Sequence, residues 1–146
     1  MRLIILPLLA GLISMRITMK YVCLVYYDEN LINNMTSDEW KALNAECEAC
    51  GENLRSTGKM IGGNALHPAT TATSLRVRNG KPLITDGPFA ETKEQLAGFY
   101  LLDARDLNEA IQLASKIPPA RLGTIEIRPI RELDSTKDER AQQNFA

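Results

Sequence analysis

Tyr21-Val22-Cys23-Leu24-Val25-Tyr26-Tyr27 is a continuous apolar run of β-branched and aromatic residues. It reads as a strand buried on both faces. Leu96-Ala97-Gly98-Phe99-Tyr100-Leu101-Leu102-Asp103 carries the same signature, with Gly98 permitting a bulge or a close approach. Strands that are apolar on both faces need cover on both sides, and that requirement governs the architecture.

Between the two runs, Thr36-Ser37-Asp38-Glu39 is a capping box that opens a helix. Trp40, Leu43, Cys47, Cys50 and Leu54 recur at 3–4 spacing as one apolar stripe, and Gly58 ends the helix in a left-handed cap. Residues 28–35 are polar and read as a loop. Residues 60–66 form a short strand with glycine breaks, closed by His67-Pro68. Residues 71–78 alternate, with Leu75 and Val77 on one face and Arg76 and Arg78 on the other. Asn79-Gly80 is a two-residue hairpin turn, and residues 81–85 return, with Pro82 indicating an edge. After the second long strand, Asp106 and Glu109 open a helix whose stripe is Leu107, Ala110, Ile111 and Ala114, stopped by Pro118-Pro119. Ile125 and Ile127 alternate with Glu126 and Arg128 in a last strand.

The order is therefore strand, helix, strand, hairpin, strand, helix, strand. Without the hairpin it is the split β-α-β pattern of a ferredoxin-like α+β sheet. Two helices cover one face only, so a second copy is expected on the other. The pattern predicts a homodimer with sheets packed face to face and a small-molecule pocket between them or at their rim.

The chain has 146 residues, enough for one domain with its own core. Lys and Arg total 17 against 18 Asp and Glu, and aromatic residues are few. Neither a broad basic surface nor a base-stacking platform is implied, so no direct nucleic-acid partner is expected. Three cysteines leave a disulfide framework one short, which points to reduced thiols and a cytoplasmic protein. The apolar run at residues 3–13 is shorter than the ~20 residues of a membrane span. The expectation is that translation begins at Met19, that residues 1–18 are an over-extended reading frame, and that no membrane is involved. A signal or anchor segment is the alternative. Residues 19–134 form the domain, and residues 135–146 a loose polar tail.

Thr85-Asp86-Gly87-Pro88-Phe89-Ala90-Glu91-Thr92-Lys93-Glu94-Gln95 resembles the YCII-related family, in the branch marked by Asp-Gly-Pro-Phe. Met19-Lys20-Tyr21, residues 73–78, Leu96-Ala97-Gly98-Phe99-Tyr100 and Ile125-Glu126-Ile127-Arg128-Pro129 extend the likeness. The resemblance implies a bacterial, ferredoxin-like, dimeric α+β barrel of unassigned biochemical activity. It also implies a His-Asp active site, and an association with sigma factors of the extracytoplasmic-function type. The Asp of that pair maps to Asp86. The family histidine belongs on the first helix, which has none here; the chain's single histidine is His67.

Asp86 could act as a general base or anchor a ligand, or bond its own turn amides. Histidine is the side-chain type suited to proton transfer near neutrality, and His67 could pair with Asp86, or simply be solvated. Glu91, close to Asp86 in sequence, could share a proton with it or help hold a metal. Lys93 could attract an anionic ligand at a pocket mouth. Arg76, Arg78 and Arg128 could hold a carboxylate or phosphate, or guard an edge against aggregation. Tyr26 and Tyr100 could offer polar tips to a pocket or pack in an interface. Cys47-Glu48-Ala49-Cys50 lies mid-helix on the apolar stripe, where its thiols serve as small hydrophobes rather than a redox pair. Cys23, Cys47, Cys50 and His67 lack a zinc spacing, so no metal and no cofactor is expected. Two functions follow. One is small-molecule binding with acid-base chemistry at Asp86. The other is a non-catalytic regulatory module of sigma-factor-dependent transcription.

Overall fold

The computed structural model describes residues 17–138 and 140. The expected extension over residues 1–18 lies outside these apart from its last two positions, as does most of the tail. The chain runs β1 (Met19–Tyr27), α1 (Glu29–Asn33), α2 (Ser37–Ser56), β2 (Met60–Ala65), β3 (Thr73–Arg78), β4 (Lys81–Asp86), β5 (Gln95–Ala104), α3 (Leu107–Ala114) and β6 (Thr124–Pro129). Short 3-10 turns occupy Ala69–Thr71 and Pro118–Arg121.

Four strands pair in the order β2-β5-β1-β6, every neighbour antiparallel. With helices after the first and third of them, this is a mixed α+β fold of ferredoxin-like topology. β3 and β4 form a separate two-stranded hairpin, as the Asn79-Gly80 turn predicts. Asn79 and Gly80 both take the left-handed conformation that such a turn needs.

Capping chemistry sets the helix starts. The Thr36 hydroxyl accepts the Glu39 N–H at 3.2 Å, and the Glu39 carboxylate accepts the Thr36 N–H at 2.7 Å. Gly58, at φ +71°, closes α2 as read from the sequence. The stretch read as a loop at residues 28–35 instead holds α1. The Asp28 carboxylate accepts the Asn30 N–H at 2.9 Å and nucleates a five-residue helix, too short to show periodicity.

Tyr21, Cys23 and Val25 of β1 and Leu102 and Ala104 of β5 meet Leu54 of α2, Ala110, Leu113 and Ala114 of α3, and Ile117. Full burial of Leu54 and Leu102 stabilises the fold by roughly 1.5–3 kcal/mol each. The alternating residues Val22, Leu24 and Tyr26 are half-buried and stay out of this core. β1 therefore reads as a continuous apolar run because both of its faces are apolar, although both helices pack on one.

Glu109 ties α3 to the sheet. Its carboxylate accepts the Arg105 N–H at 2.7 Å and meets the Lys59 ammonium at 2.9 Å. Those bonds, the backbone one first, hold its carboxyl down at about 2. A depressed pKa favours the folded state above the ordinary glutamate range. That stabilisation fades as pH falls from about 4.5 toward 2. Glu109→Gln is expected to lower stability at pH 7 by about 1–2 kcal/mol. The difference from wild type should shrink in urea titrations at pH 3.

Candidate functional site

A cleft of about 460 Å³ lies between α2 and the sheet. That is the scale of small-molecule sites. α2 contributes Trp40, Asn44, Cys47, Glu48, Gly51 and Arg55, which recur at the 3–4 spacing of one helix face. β1 contributes Val25 and Tyr27, β2 contributes Met60, Gly63 and Ala65, and β5 contributes Gly98 and Tyr100.

Small residues open the space. A Cβ on Gly98 would fall 2.7 Å from the Asn64 carbonyl oxygen, and one on Gly63 would fall 2.7 Å from that of Phe99. The two strands approach too closely for side chains there, so this part of the floor is bare backbone. On the helix, Gly51 is buried and leaves the opposite wall open.

Polar groups form a good part of the lining, Asn44, Glu48, Arg55 and Asn64 among them. Burial pushes the Tyr100 hydroxyl up to about 12, the Cys47 and Cys50 thiols add to the rise, and the Arg55 charge opposes it. Burial also raises the Tyr27 hydroxyl, helped by Glu29 and Cys47. The Cys47 thiol is raised first by burial and then by Cys50 and Glu46, with Arg121 opposing. All three groups hold their protons at neutral pH, as donors rather than bases or nucleophiles. Cys50 turns away from the cleft, its thiol donating to the Lys116 carbonyl at 3.4 Å. Cys23 is in the core, with its thiol pushed to about 11 by burial.

Of the residues singled out from the sequence, Tyr100 lines this cleft; Asp86, His67, Glu91, Lys93, Arg76, Arg78 and Arg128 do not. Asp86 ends β4 opposite Thr73, and its exposed side chain makes no hydrogen bond to its own turn. The turn is held instead by backbone. The Gly87 N–H donates to the Ala72 carbonyl at 2.7 Å, and the Ser74 hydroxyl donates to the Gly87 carbonyl at 2.8 Å. His67 is exposed after β2, and Glu91 and Lys93 are exposed on the loop before β5. Among the described residues, no hydrogen bond or ion pair joins His67, Asp86 and Glu91. Arg78 bonds the Val77 carbonyl, and Arg128 pairs with Glu126 at 3.2 Å. Among the described residues, no three His, Cys, Asp or Glu side chains gather to hold a metal ion, and no helix is long and apolar enough to cross a membrane.

Sequence reading missed Tyr27, Gly51 and Arg55. The legible sign was Gly51, a glycine inside an otherwise regular helix, where it costs about 1 kcal/mol relative to alanine.

The model of the YCII-related domain matches residues 19–134. An uncharacterized protein of Rhizobium meliloti (strain 1021), R00369, is 37% identical over 114 residues, covering 77% of this chain and 92% of its own length. The span of the match coincides with the ferredoxin-like domain from β1 to the end of the last strand's connection. This chain belongs to the YCII-related domain family.

Proposed function

We propose that this YCII-related domain binds a small molecule in the cleft under α2 and acts as a homodimer. The observation that carries the binding reading is the cleft itself, about 460 Å³, lined by aromatic and aliphatic side chains together with polar ones that include Arg55 and Glu48. Binding is favoured over catalysis by the state of its titratable groups. Tyr27, Tyr100 and Cys47 all stay protonated, Glu48 is an exposed carboxylate of the lining, and Asp86, His67 and Glu91 are exposed and outside it. The residues from Thr85 to Gln95 support membership of the Asp-Gly-Pro-Phe branch.

Support for the dimer comes from the other sheet face. By strand alternation it presents Val22, Leu24, Tyr26, Phe99 and Leu101 in one apolar patch. Lys20, Asp103, Glu126 and Arg128 surround that patch, two charges of each sign, which suits a self-complementary contact between identical surfaces. One Asp103 carboxylate oxygen is buried there without a hydrogen-bond partner. The β3–β4 hairpin makes little contact with any other described element. It nevertheless exposes Leu75, Val77, Leu83 and Ile84, the last at 68%. An isolated hairpin is marginal in water, and exposed apolar surface of this kind marks a contact.

The binding reading is tested by thermal-shift screening of a fragment library against wild type and Gly51→Leu. The leucine side chain would occupy the cleft. Fragments should raise the wild-type melting temperature and leave the variant's unmoved. Equal shifts in both proteins would place binding elsewhere.

A further inference from the structure

Arg55 lines the cleft from the last turn of α2, exposed and paired with no carboxylate among the described residues. Among the described residues its side chain has one hydrogen-bond contact, a weak one to the Met60 thioether at 3.8 Å, and no ion pair. Its two terminal nitrogens sit 3.4 Å from where a Cβ on Gly51 would be, so the guanidinium lies along the bare backbone of α2.

A structural duty for Arg55 is hard to find. An arginine in the last turn can serve the helix's free carbonyls. Here other groups serve them. The Ser56 and Thr57 hydroxyls both donate to the Asn53 carbonyl at 2.9 Å, and the Lys59 N–H donates to the Leu54 carbonyl at 2.8 Å. Glu48 also lines the cleft, one turn before Gly51, and forms no ion pair with Arg55 among the described residues.

The Tyr100 hydroxyl is the second group. It is half-buried, it donates to no protein acceptor among the described residues, and the Arg55 charge acts on it. A guanidinium and a phenol O–H are both donors at neutral pH. Together they match an oxygen anion, and guanidinium geometry favours a planar, two-oxygen one. Val25 and Met60 on the strands and Trp40 at the far end of the helix face give the cleft apolar surface beside the polar Asn44, Glu48 and Asn64.

We infer that the cleft takes an organic carboxylate, its anionic end held by Arg55 and the Tyr100 hydroxyl and its apolar body extended toward Trp40. This rests on the small-molecule reading above and adds the ligand's chemical class. A neutral analogue of the same shape would keep the apolar contacts and leave Arg55 unmatched. Selection is therefore by charge.

Gly51 is the reporter, because the Arg55 guanidinium lies against it. Gly51 amide N–H shifts in NMR titrations would be followed with 3-phenylpropionate and with its neutral amide, 3-phenylpropionamide. Wild type should bind the carboxylate at least tenfold more tightly than the amide. Arg55→Gln should erase that preference by weakening the carboxylate alone, Tyr100→Phe should reduce it, and Arg55→Lys should restore it in part. If wild type binds both probes equally, or Arg55→Gln keeps the preference, the carboxylate assignment is overturned while the cleft remains a binding site. If neither probe, nor any member of a library of neutral fragments, shifts Gly51, the small-molecule reading falls with it.

Discussion

Gly123→Ala is expected to lower the stability of the fold by about 3 kcal/mol, a drop of roughly 10 °C in Tm. The cause is steric rather than conformational. A Cβ on Gly123 would fall well inside contact distance of the Tyr26 carbonyl oxygen, 2.9 Å from the Tyr27 Cα and 3.0 Å from a Glu94 carboxylate oxygen. Two of these neighbours are backbone of the central strand and cannot swing aside. Gly123 also sits where β6 enters the sheet. Its N–H donates to the Pro119 carbonyl at 2.9 Å, and the next residue's hydroxyl, on Thr124, donates to Glu94 at 2.6 Å. Displacing this corner would pull β6 away from β1. Gly51→Ala is the contrasting control, because its added methyl would meet nothing closer than 3.4 Å. Helix propensity then favours the alanine, by up to about 1 kcal/mol. Urea unfolding of the two variants beside wild type should give midpoint shifts of opposite sign.

Leu24→Lys is expected to convert the proposed dimer to a monomer, raising its dissociation constant at least 100-fold, or about 2.7 kcal/mol. By strand alternation Leu24 occupies the second face of the sheet, opposite Phe99 on β5 and Glu126 on β6. In a monomer the new ammonium can pair with Glu126 at a wet surface, which keeps the fold intact. In a two-fold dimer the substitution appears twice and both charges lose water, which costs several kcal/mol unless they are matched. Sedimentation equilibrium at micromolar concentration reads the outcome. A variant that remains a dimer would remove this face from the interface, and a wild-type monomer would remove the dimer itself.

How much of this was legible in the sequence follows from the physics of each element. α2 was legible because its capping box and Gly58 act locally, within a few residues of chain. The β3–β4 hairpin was legible because Asn79-Gly80 specifies a turn without help from the rest of the fold. The α1 helix was not, because five residues hold too little periodicity to be seen. The cleft was not either. It depends on which face of α2 looks across at Gly63 and Gly98, a matter of tertiary register. Trp40 and Cys47 were read as packing positions along with Leu43 and Leu54, since all share one apolar stripe. In the folded chain Leu54 joins the core, while Trp40, Leu43 and Cys47 line the cleft. Tyr26 and Tyr27 illustrate the same limit. Sequence offered Tyr26 a place in a pocket or in an interface, and the pleat gives the cleft to Tyr27. Asp86 drew attention because its motif is distinctive, yet a distinctive turn marks kinship more directly than it marks a pocket.

The central claim is that the space under α2 is a small-molecule site, and chemical-shift mapping tests it most directly. With a fragment library containing neutral and anionic members, the account predicts perturbations concentrated on Tyr27, Trp40, Cys47, Gly51, Arg55 and Tyr100. Perturbations confined to the β3–β4 hairpin around Asp86, or none at all, would contradict it.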